Sequence, residues 1–536
     1  MNRKIYLLAI IVVIAISCKN TPEGFRTITP EVLKDKIAGG WAGKMIGVTY
    51  GAPTEFRAQG KMYTDSINWK PSDIKGSMWQ DDIYVQLTFL MSMDKYGPDA
   101  PAKKYQEMFA KAGYPLWHAN MQARKNYYDS IFAPASGSPE YNMHADDIDF
   151  QIEADYIGFM CPGMPNTASA IADKIGHIMN YGDGVYGGIF VAALYSEAFF
   201  ESSIPVIIEK ALKSIPAESD YYKIVKDVIK LHEHYPSRWQ DAWMELEEKW
   251  GAVDICAAGT SFNIDAKLNG AYIVMGLLYG EGDPLKTLEI STRCGQDSDC
   301  NPSNALAVLG VIKGFNGLPA EMQDGVSAIG DSLFINTTYS FNSAVTNTYK
   351  YAHDFIVRDG GTADAKNIMI KVQEPSAPVA EESFPDVVFD KTVSVFDQPA
   401  WVFKGSWQPH EVNSGDDKKV RQSMYSDTAG DELLFNFTGT GISLEGNWYK
   451  DGGLADVYVD GKLHRSIDTY YNFANQEHTV NIWHVFNLPA GDHQIRLVVK
   501  GEKRPEALGS RVYVTSATTF TTGPKKNESW KFSFEK

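Results

Sequence analysis

Apolar positions recur with two different periods along this chain, and the change falls near residue 357. Before it, hydrophobic residues return every three to four positions. Val32 to Tyr50, Ile83 to Met93, Ile189 to Phe200, Ile204 to Leu212, Tyr221 to His232, Ala271 to Tyr279 and Ala305 to Phe315 each read as a helix. Gly and Pro separate them, at Gly97-Pro98, Ser136 to Pro139, Pro162 to Pro165, Gly282 to Pro284 and Gly317 to Pro319. After residue 357, polar and apolar residues alternate in short runs. Asn367 to Val372, Glu432 to Phe437, Gly441 to Glu445, Ala455 to Val459, His478 to Phe486, His493 to Val499 and Arg511 to Val514 read as strands. Asp451-Gly452, Asp460-Gly461 and Ala490-Gly491 supply turns. Many short strands at this spacing predict a β-sandwich or jelly roll.

The pattern divides the 536 residues into a signal segment (1–18), a polar tether (19–30), an all-α domain (31–357), a linker (358–385), an all-β accessory domain (386–520) and a tail (521–536). Arg3 and Lys4 precede an apolar stretch, Ile5 to Ser17, too short to span a bilayer as a mature helix. It ends in Ala15-Ile16-Ser17-Cys18, which resembles a bacterial lipobox. That implies cleavage before Cys18, lipid attachment to it, and a membrane-anchored protein on the bacterial cell envelope. A plain secretory signal or a retained anchor are the alternatives. A net charge of −17 disfavours nucleic acid and anionic lipid as partners, since both need Lys/Arg fields. Cys161, Cys256, Cys294 and Cys300 leave disulfides open but match no zinc spacing. His144, His177, His232 and His234 show no two-histidine spacing with a glutamate.

Two acidic pairs carry the chemistry. One lies in Trp79-Gln80-Asp81-Asp82-Ile83, the other in Gly295-Gln296-Asp297-Ser298-Asp299-Cys300, and each sits just before a long helical run. Carboxylates this close repel one another unless a cation, a proton or solvent offsets the charge. Brought together by the fold, they suit a hard divalent ion such as Mg²⁺, Mn²⁺ or Ca²⁺. The first helix carries Gly39, Gly43, Gly47 and then Gly51 at four-residue spacing, each costing about 1 kcal/mol of helix stability relative to Ala. Such a row implies either close helix packing or backbone approach to a ligand. It runs into Ala52-Pro53-Thr54-Glu55, a turn ending in a carboxylate.

Taken together, the Gly-spaced helix with its Pro-x-Glu turn, the Asp-Asp pair and the later Asp-x-Asp resemble the ADP-ribosylglycohydrolase family over roughly 31–357. The resemblance implies an orthogonal helical bundle around a cleft with Mg²⁺ (one or two ions, Mn²⁺ as a substitute). It implies hydrolysis of an ADP-ribosyl or related glycosidic bond. Asp81, Asp82, Asp297 and Asp299 match the family's metal ligands, and Gln80 takes the place of its usual threonine. Glu55 falls at the cleft mouth, and Glu55 or Asp299 would position the attacking water. Asn180, Asp183, Tyr186 and Gly187 fall where a helix start lines the ribose pocket. Cys300 stands where a second hydroxyl ligand is usual, and sulfur is a poor Mg²⁺ ligand.

Asp146 to Asp155 holds five carboxylates in ten positions, where the family tends to have a Gly/Asn-rich loop. Facing a cleft, Asp147, Asp149 and Glu153 would repel a pyrophosphate and suit a neutral, hydroxyl-rich sugar. The alternative is a solvated acidic helix start. Trp401, Trp407, Trp448, Tyr449, Tyr470, Tyr471 and Trp483 are expected mainly as sandwich core, with a sugar-stacking platform as the alternative. Substrate expectations are a sugar-containing small molecule, a glycan or an ADP-ribosylated substrate. A non-catalytic glycan-binding lipoprotein that keeps the fold is the competing reading.

Overall fold

The computed structural model describes residues 22–251, 254–397, 399–414 and 418–523. Cys18 and its signal segment lie outside the described residues, as do residues 524–536. Two halves follow one another, helical then β, as the periodicities predict.

The first helix runs Pro30–Gly51; Thr29 caps it by accepting from Val32 N at 3.3 Å, and Pro30 sits at its start, where no amide is needed. This helix, Asp183–Ala198, Ala266–Gly280 and Cys300–Lys313 are buried on nearly all sides and form the centre of the bundle. Around them lie helices with one buried face, such as Asp220–His234 and Phe341–Arg358. The glycine row explains how the centre is built. A Cβ on Gly39 would stand 2.1 Å from Gly310 O, on Gly43 2.6 Å from Ala307 Cα, and on Gly47 2.4 Å from Ser303 Cα. Backbone therefore meets backbone along the whole row, because nothing larger than hydrogen fits between these helices.

Strand β1 (Phe25–Ile28) falls inside the segment read as a tether. It pairs antiparallel with β3 (Ile368–Lys371), which also pairs with β2 (Thr362–Ala363), inside the segment read as a linker. The chain thus closes the helical half by returning to its start. Residues 372–386 have no regular structure, yet they are tied down. Gln373 Oε1 accepts from Asn166 N and Thr167 N, the Tyr186 hydroxyl accepts from Glu381 N, and Ser383 Oγ donates to Tyr181 O.

The remaining strands are β4 (Val387–Ser394), β5 (Trp401–Lys404), β6 (Gln408–Ser414), β7 (Lys418–Ser426), β8 (Glu432–Gly439), β9 (Gly441–Trp448), β10 (Leu454–Val459), β11 (Lys462–Asp468), β12 (His478–Val485), β13 (Gly491–Val499) and β14 (Val512–Thr522). One sheet has the order β11-β10-β13-β8-β5. The other has β12-β9-β14-β7-β6, with β4 also paired to β14. Asp460 and Gly461 both have positive φ in the hairpin joining β10 to β11, as a two-residue primed turn requires. Trp401, Trp448, Tyr470, Tyr471 and Trp483 are buried, as the core reading expects; Trp407 and Tyr449 are half-buried. The four described cysteines are free thiols. Among the described residues, no helix is long and apolar enough to cross a membrane.

The sandwich packs on the helical half. Arg504 bridges Asp129 and Asp468 at 2.6 Å each, Tyr128 stacks on Phe473 with centroids 4.0 Å apart, and Gln476 both donates to and accepts from the backbone of Leu116.

Candidate functional site

The two acidic pairs meet. The loop before the Cys300 helix turns through positive φ at Gly295 and Gln296. It is clipped to the turn that follows the first helix: Phe56 N donates to Gln296 O, Gln296 N to Ala58 O, and Thr54 Oγ1 lies 2.7 Å from Ser298 Oγ. Gly51 ends the glycine row, where a Cβ would lie 1.9 Å from Ser298 O. Close packing and approach to the acidic loop are therefore one feature. The Asp81–Tyr96 helix then brings Asp81 and Asp82 in from the other side.

Between them opens a cavity of about 680 Å³. Its walls include Glu55, Gln80, Asp81, Asp82, Asp149, Asp297, Asp299 and Cys300, with Phe56, Trp79, Tyr84, Tyr114, Trp117, His118, Asn120 and Phe262. No Lys or Arg lines it among the described residues. Donor atoms of Glu55, Asp297 and Asp299 lie within 4.8 Å of one another, as do those of Asp82, Asp299 and Cys300.

Burial and mutual repulsion raise the pKa values of Glu55, Asp81, Asp297 and Asp299. Burial, then Asp82, pushes Asp81 up to about 7. Burial, with Glu55 and Asp82, pushes Asp297 up to about 8, and burial, then Asp297 and Asp82, raises Asp299. Glu55, exposed at the mouth but walled by protein, is pushed up to about 9 by burial and then by Asp299, Asp81 and Asp82. A cation would reverse this logic. The residues fit one: the donors are hard oxygens, and Asp297 Oδ1 is buried without a hydrogen-bond partner.

One cation is built in, and the sequence reading missed it. Lys44 Nζ is fully buried, 3.0 Å from Asp82 Oδ1, 3.1 Å from Asp155 Oδ2 and 2.8 Å from Ile152 O. Burial alone would lower its pKa, but Asp155 and Asp82 outweigh this and raise it. Cys300 Sγ donates to Asp82 Oδ2 at 3.1 Å, so both oxygens of Asp82 are engaged. The signal was present: a single lysine among glycines and apolar residues over 37–49, the part of the helix that is buried almost throughout.

The acidic stretch 146–155 is neither a solvated helix start nor a cleft wall along its length, since all five carboxylates are buried. Asp149 alone of them lines the cavity, where it accepts from the amides of Ala119 and Asn120 and so anchors the start of the His118–Tyr128 helix. Asp155 takes Lys44, Tyr195 and Asn304; Glu153 takes Asn120; Asp147 contacts His144. Four other residues expected to bind substrate sit away from the cavity. Asn180 holds the backbone of residues 144–150, Tyr186 binds the segment at Glu381, and Gly187 packs under Gln151. Asp183 lines a separate cavity of about 260 Å³ with Asp146 and Lys267. His118 and the exposed Trp117 reach the wall from a helix the periodicity did not reveal.

Residues 29–343 match the family model described as ADP-ribosylglycohydrolase. A curated relative, the A type blood alpha-D-galactosamine galactosaminidase of Flavonifractor plautii, is 31% identical over 134 residues. The match takes in 25% of this chain and only 12% of that relative's length. Among solved structures, an ADP-ribosylglycohydrolase-related protein complex aligns over 60% of this chain and 99% of its own, with 13% identity and a TM-score of 0.43. The CBM36-1 domain of a multidomain xylanase from the hindgut metagenome of Trinervitermes trinervoides aligns over 25% of this chain and 98% of its own, with 13% identity and a TM-score of 0.17. With its family model matched over most of the helical half and the family's acidic motifs converging on one cavity, the chain belongs to the ADP-ribosylglycohydrolase family.

Proposed function

We propose that the protein hydrolyses the glycosidic bond of a neutral sugar, using one hard divalent cation, Mg²⁺ or Mn²⁺. The observation that carries this is the convergence of Glu55, Asp81, Asp82, Asp297 and Asp299 on one aromatic-walled cavity. Asp297, Asp299 and Asp81 would hold the ion, with the Gln80 amide oxygen beside them. A bound ion supplies positive charge that orders substrate hydroxyls and acidifies water.

The chain's own residues do the rest. Asp82, tied to Lys44 and Cys300, positions its neighbours rather than offering a free ligand atom. The Lys44 ammonium supplies fixed positive charge, which is why one ion is proposed. Glu55 at the mouth orients the attacking water, while Asp299, which accepts from Cys300 N, is held back in the ligand set. The carboxylates stabilise oxocarbenium charge as the bond to the anomeric carbon breaks. Trp79, Trp117, Phe56 and Phe262 offer ring faces to the apolar side of a sugar.

A neutral glycoside is favoured over an ADP-ribosyl group because a pyrophosphate entering this cavity would meet carboxylates with no lining Lys or Arg. The partial likeness to a galactosaminidase points the same way. The sandwich serves as a brace, and the Cys18 segment supports a lipid-anchored location on the cell envelope. Aryl glycosides and an ADP-ribosylated protein, each with and without Mg²⁺, test the proposal. Metal-dependent release from a glycoside, lost in Asp297→Ala, is expected. Cleavage of only the ADP-ribosyl substrate would overturn the substrate assignment. Tight glycan retention without turnover would favour the binding-protein reading.

A further inference from the structure

A second cluster of donor atoms lies outside the acidic centre, and it contains nitrogen. His118, His144 and Asp147 each offer one atom, and the three lie within 4.8 Å of one another. Asp147 Oδ2 is 2.7 Å from His144 Nδ1 and 3.6 Å from His118 Nδ1. Nitrogen and oxygen ligands at about 2.0–2.2 Å from a tetrahedral ion stand roughly 3.3–3.6 Å apart. The His118 contact already has that length, which is too long for a hydrogen bond. The His144 contact is a hydrogen bond that an ion would replace.

The backbone holds both arms of the cluster in place. His144 and Asp147 share one turn, in which Asp147 N donates to His144 O at 3.0 Å. His144 N donates to Asn142 Oδ1, and Asn180 Nδ2 donates to the carbonyls of Ala145 and Asp147. His118 opens the His118–Tyr128 helix at φ 43°, a conformation a non-glycine residue rarely adopts. Asp149 fixes that start by accepting from the amides of Ala119 and Asn120. The His118 ring stacks on Phe262 with centroids 5.7 Å apart, and meets the His144 ring edge-on at 5.5 Å. Burial lowers the pKa of both imidazoles, so at neutral pH each has a lone pair to give. Cys256 Sγ donates to the same Asp147 oxygen at 3.4 Å, but it groups with Asp147 and Asp254 and not with the histidines. The thiol is therefore a partner of the carboxylate rather than a ligand. A plain His144–Asp147 hydrogen bond leaves the approach of His118 Nδ1 to that oxygen unexplained.

We propose that His118, His144 and Asp147 form a second metal site, for a borderline divalent ion of the Zn²⁺ type. Two imidazoles and a carboxylate select such an ion over Mg²⁺, whereas the all-oxygen centre selects the reverse. Three protein ligands leave the fourth position to water. The ion would tie the start of the His118–Tyr128 helix to the 144–147 turn and so fix the part of the cavity wall that His118 supplies. This role does not depend on the glycosidase reading.

Zinc titration of metal-stripped full-length protein, in excess Mg²⁺ to compete at the oxygen centre, tests it. About one equivalent of Zn²⁺ should bind, and equally in Asp297→Asn. His118→Asn removes the imidazole while keeping a residue that tolerates positive φ. His118→Asn and His144→Ala should each weaken zinc binding by more than the about 10–100-fold that an outer-shell partner is worth. Wild-type protein that binds no zinc in excess Mg²⁺ overturns the proposal. So does zinc affinity unchanged in His118→Asn, or zinc binding lost in Asp297→Asn and kept in His118→Asn. If His144→Ala lacks the wild-type circular dichroism spectrum, the His118→Asn result decides alone.

Discussion

Lys44→Met removes an ammonium while keeping most of the side chain's volume. In the wild type that ammonium touches Asp82, Asp155 and Ile152 O with no solvent access. Removing one partner of a buried ion pair costs about 3–5 kcal/mol, because the other charge stays buried and unpaired. The stranded Ile152 carbonyl adds about 1–3 kcal/mol. A proton can partly replace the lost ammonium, since burial already raises the Asp155 pKa. The sign follows. A carboxyl whose folded pKa lies above its unfolded value, near 4, destabilises the fold fully above the folded pKa and not at all below about 4. The variant's loss should therefore be largest near about pH 8 and shrink toward about pH 5. Urea denaturation of both proteins at the two pH values, following the transition of the helical half, measures this. Wild-type and variant midpoints that correspond to less than about 1 kcal/mol at the higher pH, or a loss equal at both, would refute Lys44 as the fixed cation. The same variant should also bind a second equivalent of Mg²⁺, because the charge it removes is the reason for proposing a single ion.

Asp297→Ala should abolish hydrolysis while thermal unfolding stays near wild type, since it removes an acid whose Oδ1 has no partner; an active variant would end its assignment as a ligand. Gly47→Leu should cost several kcal/mol, about what core overpacking or more costs, and should weaken Mg²⁺ binding, because a Cβ there meets Ser303 Cα at 2.4 Å; wild-type Mg²⁺ affinity would contradict the packing argument. Without divalent cation, Glu55, Asp81 and Asp297 have raised pKa values of about 9, 7 and 8, so stability should fall as pH rises from about 4, their unfolded value, to about 9. Adding Mg²⁺ should flatten or invert the slope, which melting curves with EDTA and with Mg²⁺ would show. Cys18→Ser should move the protein from the membrane fraction to the soluble fraction of cells.

The central helices were legible because burial on nearly all sides leaves few polar interruptions, and Ile204–Leu212 and Asp220–His234 because their apolar stripes recur regularly. The helices Ala102–Ala110, His118–Tyr128 and Trp239–Trp250 were not, since their stripes are short and mixed with polar residues. The acidic pairs announced themselves as local repulsion that something must offset. Lys44 stood out only by its apolar and glycine neighbours; its partners Asp82, Asp155 and Ile152 are remote in sequence, and only the fold brings them together. The stretch 146–155 misled for a related reason. Clustered charge usually means a wet surface, but here Asp147, Asp149, Glu153 and Asp155 each have a buried partner or backbone anchor and Asp146 shares a cavity with Lys267, a fact no spacing encodes.

The glycine row has a kinetic meaning as well. Lys44 O accepts from Ser303 Oγ across 259 positions, so the acidic loop reaches the first helix only after most of the helical half has been synthesised and collapsed. Closing so long a loop is slow and entropically costly, and nothing local can pre-form the centre. Divalent-ion binding would then appear late in refolding, and its onset would time the docking of the first helix against the last of the buried helices.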